Sequence, residues 1–489
     1  MEAGRARTLT LVATILASGI ALLDTTIVNV ALPAMREDLG GGLAVQQWVM
    51  NAYLLTLGSL LLVGGSLGDL FGQRRVFWLG VAGFGLASLL CALAPNIETL
   101  VAARAVQGAA SALLTPASLA VISEVYEDAK ERGAAIGTWT AWGGIAAVAG
   151  PLAGGLLIDS VGWRWIFGVN VPFVLVTLLL IRVAVPPLEG KPCPRLDFVG
   201  SALCALGLAG PVLALIEQPS RGWGDPIVVG GLVGGAVLLA AFVWWERTIS
   251  DPMLPLGLFR RRNFGWANLE TLLVYAAISS FFFFLVIFLQ EQAGWSALEA
   301  GLSGIPVTLL LFLLSSRVGA LSQRYGPRLF MGLGPVVCGL GLLPLLLVDD
   351  DVSYVVDVLP AMVLFGLGLT LTVAPLTATV MADAGRGSGG TASGVNNAVA
   401  RVAGLLGIAA VGVAVASRGD GTVDVSGFHV GMAITAAMLV IGGIFGFIGI
   451  RNRPAAPEQP PAPAVTPETT FCPGRSLQPA EGATTPARS

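Results

Sequence analysis

Charge is what this sequence most lacks. Only 12% of its 489 residues are Asp, Glu, Lys or Arg, against about 25% in soluble domains. A surface in water cannot be covered at that density, so the solvent around most of the outside is lipid. Lysine is nearly absent, with Lys130 and Lys191 the only two among 27 basic residues. The single histidine, His429, excludes clustered imidazole chemistry. No HExxH helix or phosphate-loop GxxxxGK[ST] is present, which argues against a membrane enzyme. Cys91, Cys193, Cys204, Cys338 and Cys472 are scattered without CxxC spacing, so neither a disulfide framework nor a metal knot is indicated. A net charge of −3 offers no basic surface for nucleic acid.

What the chain has instead is apolar length: 55% hydrophobic residues and a mean hydropathy of +0.80. A spanning helix needs roughly 20 apolar residues. Cutting at charge and Gly/Pro clusters leaves fourteen such stretches, near 8–31, 45–67, 76–95, 98–122, 134–158, 165–185, 197–216, 227–246, 264–290, 298–316, 329–348, 355–380, 392–416 and 429–450. The first follows Arg5 and Arg7 but is too long for a signal-peptide core of about 7–15 residues, so it reads as a retained helix.

With both termini placed inside, only Arg36, Arg164, Arg221 and Arg418 fall outside, and Arg104 and Arg401 fall within the membrane. Every other basic residue lies on the inner side, as the positive-inside rule requires. Missing one helix would invert everything downstream and spoil that bias. Beyond Arg451 the chain turns to RPAAPEQPPAPAVTPETTF, too poor in apolar side chains to fold, and reads as a disordered cytoplasmic tail.

An internal repeat organises the helices. GSLGDLFGQR (65–74) and GALSQRYGPR (319–328) share Gly, Leu, an aromatic–Gly pair and a final Arg in register, each after the second helix of a six-helix set. The expected domains are therefore an N-terminal six-helix bundle (1–185), two inserted helices (186–250), a C-terminal six-helix bundle (251–452) and the tail (453–489). Duplicated halves meeting at a midplane site are the architecture of secondary transporters.

Five stretches then carry a resemblance: LDTTIVNVALP (23–33), GDLFGQRR (68–75), RAVQG (104–108), AGPLAGG (149–155) and WRWIFGVNVP (163–172). With these the chain resembles the major facilitator superfamily, specifically its fourteen-helix drug:proton antiporters, along nearly its whole length apart from the tail. The resemblance implies an all-α integral membrane fold of two six-helix bundles plus two inserted helices. It implies no cofactor beyond protons as coupling ion, small amphipathic substrates, and a monomer in the bacterial cytoplasmic membrane. It also implies a conformational lock in the loop holding Gly68, Asp69, Gly72, Arg74 and Arg75, in which Asp69 pairs with an arginine in the outward-open state. The second copy has Gln323 where Asp69 stands, so the lock does not transfer to that half. Gly150, Pro151, Gly154 and Gly155 form the segment that marks antiporters in the family. Physically it is a small-xxx-small face with a proline bend, which equally describes close packing.

The residues themselves point to where protons and substrate would meet. Arg104, Gln107, Gly108, Ser111 and Thr115 share one helix face. A lipid-facing arginine near the membrane core costs at least about 2.5 kcal/mol, so that stripe faces the bundle interior or water. Asp24 and Arg104 lie about seven and six residues from the outer ends of their stretches, a matching depth of roughly 10 Å that permits contact. Burial disfavours a charged Asp24 and a neighbouring arginine favours it. A carboxyl held between those effects can bind and release a proton as access alternates. The other reading of Asp24 is a purely structural salt bridge. In the second half, Arg401 and Glu270 lie within a helical turn in depth, which suggests a second pair, or else a Glu270 that only faces the inner vestibule. Asn29, Gln107, Ser111, Trp139, Trp142, Asn396, Asn397 and Arg401 are the expected lining of a substrate cavity. The readings that remain are a proton-driven exporter of drugs or antibiotics, an importer or uniporter on the same scaffold, and a non-transporting receptor or scaffold. An enzyme is disfavoured by the missing motifs.

Overall fold

In lipid every backbone N–H and C=O must be satisfied within its own segment, which leaves apolar stretches of this length one outcome. The computed structural model describes residues 3–188, 197–250, 252–349, 351–383, 389–416 and 423–452, and among these the regular structure is helical throughout. Fourteen helices are long and apolar enough to span a bilayer. In the first half they are α1 (Gly4–Leu39), α2 (Leu43–Phe71), α3 (Gln73–Ala92), α4 (Ile97–Val125), α5 (Lys130–Val161) and α6 (Trp165–Ala184). Two further helices follow, α7 (Phe198–Arg221) and α8 (Pro226–Thr248). The second half holds α9 (Arg262–Glu291), α10 (Ala297–Tyr325), α11 (Pro327–Leu347), α12 (Tyr354–Asp383), α13 (Thr391–Ala416) and α14 (Val425–Gly449). The expected tail lies outside the described residues, as do Lys191, Arg195, Arg386, Arg418, Cys193 and Cys472.

Helix starts are capped by short polar side chains, which satisfy the free N–H groups of a first turn. Asn96 accepts from Thr99 N, Asp128 from Lys130 N and Glu131 N, and Ser296 forms a capping box with Glu299.

The packing is duplicated. In the first half α1 packs on α4, α5 and α6, α4 on α2 and α3, and α3 on α6. In the second half α9 packs on α12, α13 and α14, α12 on α10 and α11, and α11 on α14, which is the same pattern eight helices later. The halves meet through α2 on α13, α5 on α10 and α1 on α9, contacts that a pseudo-two-fold axis exchanges with one another or with themselves. The loop repeat obeys the same relation in atomic detail. Gly72 (φ 91°, ψ 131°) and Gly326 (φ 86°, ψ 148°) turn the chain in a region that favours glycine. Arg74 donates to Arg182 O at the end of α6, and Arg328 donates to Phe447 O near the end of α14.

The inserted α7 packs against both α2 and α13, one helix from each half, while α8 packs on α7. One expectation needs correcting. Helix α1 runs on to Leu39, past the expected end at residue 31, because Pro33 is accommodated inside it. Asp24 therefore lies near the middle of its helix, and its distance from the helix end does not measure its depth.

Candidate functional site

Asp24 projects from α1 into a cluster built by four other helices, and none of its principal members is exposed. Arg104 of α4 donates from Nη1 to Asp24 Oδ2 at 2.6 Å, with both side chains 0% exposed. The same Nη1 donates to Gln107 Oε1 at 2.7 Å, and Arg104 Nε donates to Val49 O of α2 at 3.2 Å. Gln107 Nε2 donates to Asp24 Oδ1 at 2.9 Å, and Asn170 Nδ2 of α6 reaches the same oxygen at 3.4 Å. Asn170 also donates to Ser88 Oγ of α3 at 3.0 Å, and Ser88 donates to Phe167 O. Tyr53 of α2 lies with its ring 4.4 Å from the guanidinium carbon and donates its hydroxyl to Ser111 Oγ at 2.9 Å. The face of an aromatic ring attracts a cation, most strongly where water is excluded.

The expected stripe on α4 is thus real, and the expected contact between Asp24 and Arg104 is made. Sequence reasoning did not single out Tyr53, Ser88 or Asn170 for this cluster. Asn170 had a signal, being a lone amide inside the quoted WRWIFGVNVP stretch.

The expected pairing of Glu270 with Arg401 is not made. Glu270 is 0% exposed on α9, faces Gly446 of α14, and neither carboxyl oxygen has a hydrogen-bond partner. Arg401 on α13 instead abuts α2, with its Cβ 3.4 Å from where a Cβ on Gly58 would stand. The two side chains leave their helices toward different neighbours.

The expected cavity residues divide among several places. Gln107 and Ser111 belong to the Asp24 cluster. Asn29 Nδ2 donates across the seam between halves to Phe282 O at 2.9 Å. Trp139 Nε1 donates to Ser18 Oγ at 3.0 Å, and Ser18 shares a hydrogen bond with Ser118, tying α5, α1 and α4. Asn396 Nδ2 donates to Thr271 Oγ1 and Asn268 Oδ1 of α9. Trp142 and Asn397 are exposed.

In the last turn of α2, Asp69 is exposed and accepts from Gln73 Nε2 at the start of α3 at 2.9 Å, with no ion pair among the described residues. Arg75 is exposed and Gln73 packs against Gly68. On α5, side chains added at Gly150 and Gly154 would collide with Thr26 and Ile27 of α1, and one at Gly155 with the backbone of Leu298 on α10. The motif on α5 therefore lets one helix approach both its own half and the other half.

The hydrogen bonds that tie the halves together cluster at the end away from the chain termini. Arg36 and Gln46 both donate to Glu291, at 2.5 and 2.7 Å. Gln47 donates to Ile408 O, Gln290 to Val30 O, and the carboxylate of Asp159 accepts from Ala297 N and Leu298 N.

The comparisons with known proteins agree with this architecture. Residues 14–408 match the family model described as Major Facilitator Superfamily. The chain is 37% identical over 475 residues to the puromycin resistance protein pur8 of Streptomyces alboniger, covering 94% of each. It is 35% identical to the multidrug resistance protein Stp of Mycobacterium tuberculosis, over 86% of this chain and 78% of that one. It is also 35% identical to the cephamycin export protein CmcT of Amycolatopsis lactamdurans, over 82% and 83%. Among solved structures, a peptide transporter POT in complex with sulfate superposes with a TM-score of 0.66 at 14% identity, over 89% and 93%. The inward-open xylose transporter XylE from E. coli gives 0.61 at 14% identity, over 91% and 97%. At those identities the structures speak to the fold alone.

Proposed function

The chain belongs to the major facilitator superfamily, and from that premise we propose that it is a proton-driven antiporter exporting amphipathic drug-like molecules by alternating access. The observation that carries this reading is the ion pair of Asp24 and Arg104, fully withdrawn from solvent at the centre of the first half. Burying two opposite charges is favourable only while both remain and their other donors and acceptors are met. A proton on Asp24 cancels one charge and leaves Arg104 uncompensated, so protonation cannot be a local event. The guanidinium must find a new acceptor, which requires α4 to move relative to α1 and α6. That is how a proton does mechanical work here.

The seam closed at the end away from the termini and the exposed, unpaired Asp69 at the other end fit an inward-facing state, with both termini in the cytoplasm of a bacterial cell. In that state the lock at Asp69 is released, and it closes when the opposite end opens. Each unit of pH gradient supplies about 1.4 kcal/mol per proton, and each 100 mV about 2.3 kcal/mol per charge. Relatives named for resistance to puromycin and several drugs, and for cephamycin export, support export of antibiotics as the direction and cargo.

The test is drug-driven proton release from proteoliposomes under an imposed pH gradient. Asp24→Asn keeps the shape of the side chain but leaves the buried Arg104 without its carboxylate, so it should lower the unfolding midpoint and, in the protein that still inserts, abolish proton-coupled exchange. Exchange at the wild-type rate in Asp24→Asn would make the residue structural and the reading wrong.

A further inference from the structure

The inserted α7–α8 hairpin has its own buried acidic pair, unconnected to the Asp24 cluster. Asp197 caps the start of α7, its Oδ1 accepting from Gly200 N at 2.7 Å and from Trp245 Nε1 at 2.8 Å. Glu246, near the end of α8, accepts from Leu254 N at 2.8 Å through Oε2. The remaining oxygens, Asp197 Oδ2 and Glu246 Oε1, are buried, turn toward each other and meet no donor. They converge on one point: a Cβ on Gly200 would stand 2.2 Å from the first and 2.7 Å from the second. Asp197 is 9% exposed and Glu246 3%.

Two acceptor-only groups cannot face each other in a buried site without a donor between them. No cation supplies one among the described residues. Arg247, next along α8, is exposed; α7 adds only the Cys204 thiol; and the 252–256 segment adds backbone N–H and the Met253 thioether. We propose that Asp197 and Glu246 form a proton-binding site, a carboxyl–carboxylate pair holding one proton from solvent in an O–H···O bond. Charge-assisted bonds of this kind are short and strong. The pair then carries a single negative charge, and it joins the start of α7, the end of α8 and the segment leading into α9.

Place gives the site its consequence. Helix α7 packs on α2 and α13, the two helices that form one side of the seam between halves. A clasp at the inner end of the hairpin holds a strut across that seam, and loss of its proton sets two like charges against each other and loosens the strut. The inference stands whether or not the chain exports drugs, and its test needs no transport.

Full-length protein in lipid nanodiscs is titrated from mildly acidic to mildly alkaline pH while infrared difference spectra and the thermal unfolding midpoint are recorded. The wild type should lose a carboxylic-acid carbonyl band as pH rises, and its midpoint should fall with it. In Glu246→Gln and in Asp197→Asn the amide supplies the missing donor permanently, so that band should be absent and the midpoint should lose this part of its pH dependence. The double variant, with amides on both sides, should match the single ones. Identical spectra and identical midpoint curves in wild type and Glu246→Gln would overturn the proposal. So would a rise of the wild-type midpoint with magnesium or calcium at alkaline pH that Glu246→Gln abolishes, because the pair would then be a cation site.

Discussion

The two halves share a packing pattern but treat their buried acid in opposite ways. In the first, Asp24 on α1 receives donors from Arg104, Gln107 and Asn170, so both oxygens of its buried carboxyl are met. In the second, Glu270 on α9 occupies the helix related to α1, is equally withdrawn from solvent, and meets no donor at all. The difference shows that duplication reproduces a scaffold without reproducing its chemistry. Asp24 is held in place by an ion pair that resists disturbance. A buried acid without a partner carries a desolvation cost that only a proton or a movement relieves. The family fold supplies two equivalent shells, and this chain has loaded one with a cation.

The comparison can be broken most severely at Arg104. Arg104→Ala should destabilise the folded protein by about 3–5 kcal/mol, the range for removing one partner of a buried pair, because Asp24 then keeps only the neutral donors Gln107 and Asn170. Thermal unfolding in nanodiscs reads this out, and Asp24→Asn in the Arg104→Ala background should restore much of the loss. No rescue would mean that Arg104 acts through packing on Tyr53 rather than through charge.

Glu270 should behave in the contrary way. Replacing an unsatisfied buried polar group by an apolar one of similar shape removes a penalty of about 1–3 kcal/mol. Glu270→Met is therefore expected to be neutral or stabilising in the same unfolding assay. A loss as large as that of Arg104→Ala would show a partner that appears in another state and would erase the contrast between halves.

The smallest effect sharpens the asymmetry of the repeated loops. Asp69→Asn should slow drug-driven proton exchange while leaving the unfolding midpoint within about 0.5 kcal/mol, as expected for an exposed surface site. Gln323→Ala, at the related position, should change neither. Equal slowing in both variants would mean that the two loops contribute alike.

How much of this was legible beforehand follows from where each interaction lies. The repeat could be read because it is short and local: Gly72 and Gly326 must turn the chain, and Arg74 and Arg328 sit two residues on. The Asp24–Arg104 contact could be read because a charged residue within the membrane must turn inward and has few partners to choose from. The same reasoning failed for Glu270 and Arg401. Counting gives only a residue's place along its own helix, whereas the direction a side chain leaves it depends on how that helix is rotated against its neighbours. Tyr53, Ser88 and Asn170 were missed for a related reason, since hydroxyls and amides are common inside helices and nothing local marks which will converge. The Asp197–Glu246 pair escaped because its members are 49 positions apart and each looks like an ordinary helix-end acid.

By itself the sequence determined that the protein lives in lipid, that it crosses as fourteen helices and that these fall into two related sets. Length and hydropathy are sums over contiguous residues, and a backbone in hydrocarbon has no alternative to the helix. The tertiary structure alone decided which buried acid has a cation, which has none, and which two acids share a site beside the seam. Those outcomes depend on helix rotation and crossing between segments far apart in the chain, where a shift of one residue along a helix turns a side chain by about 100°.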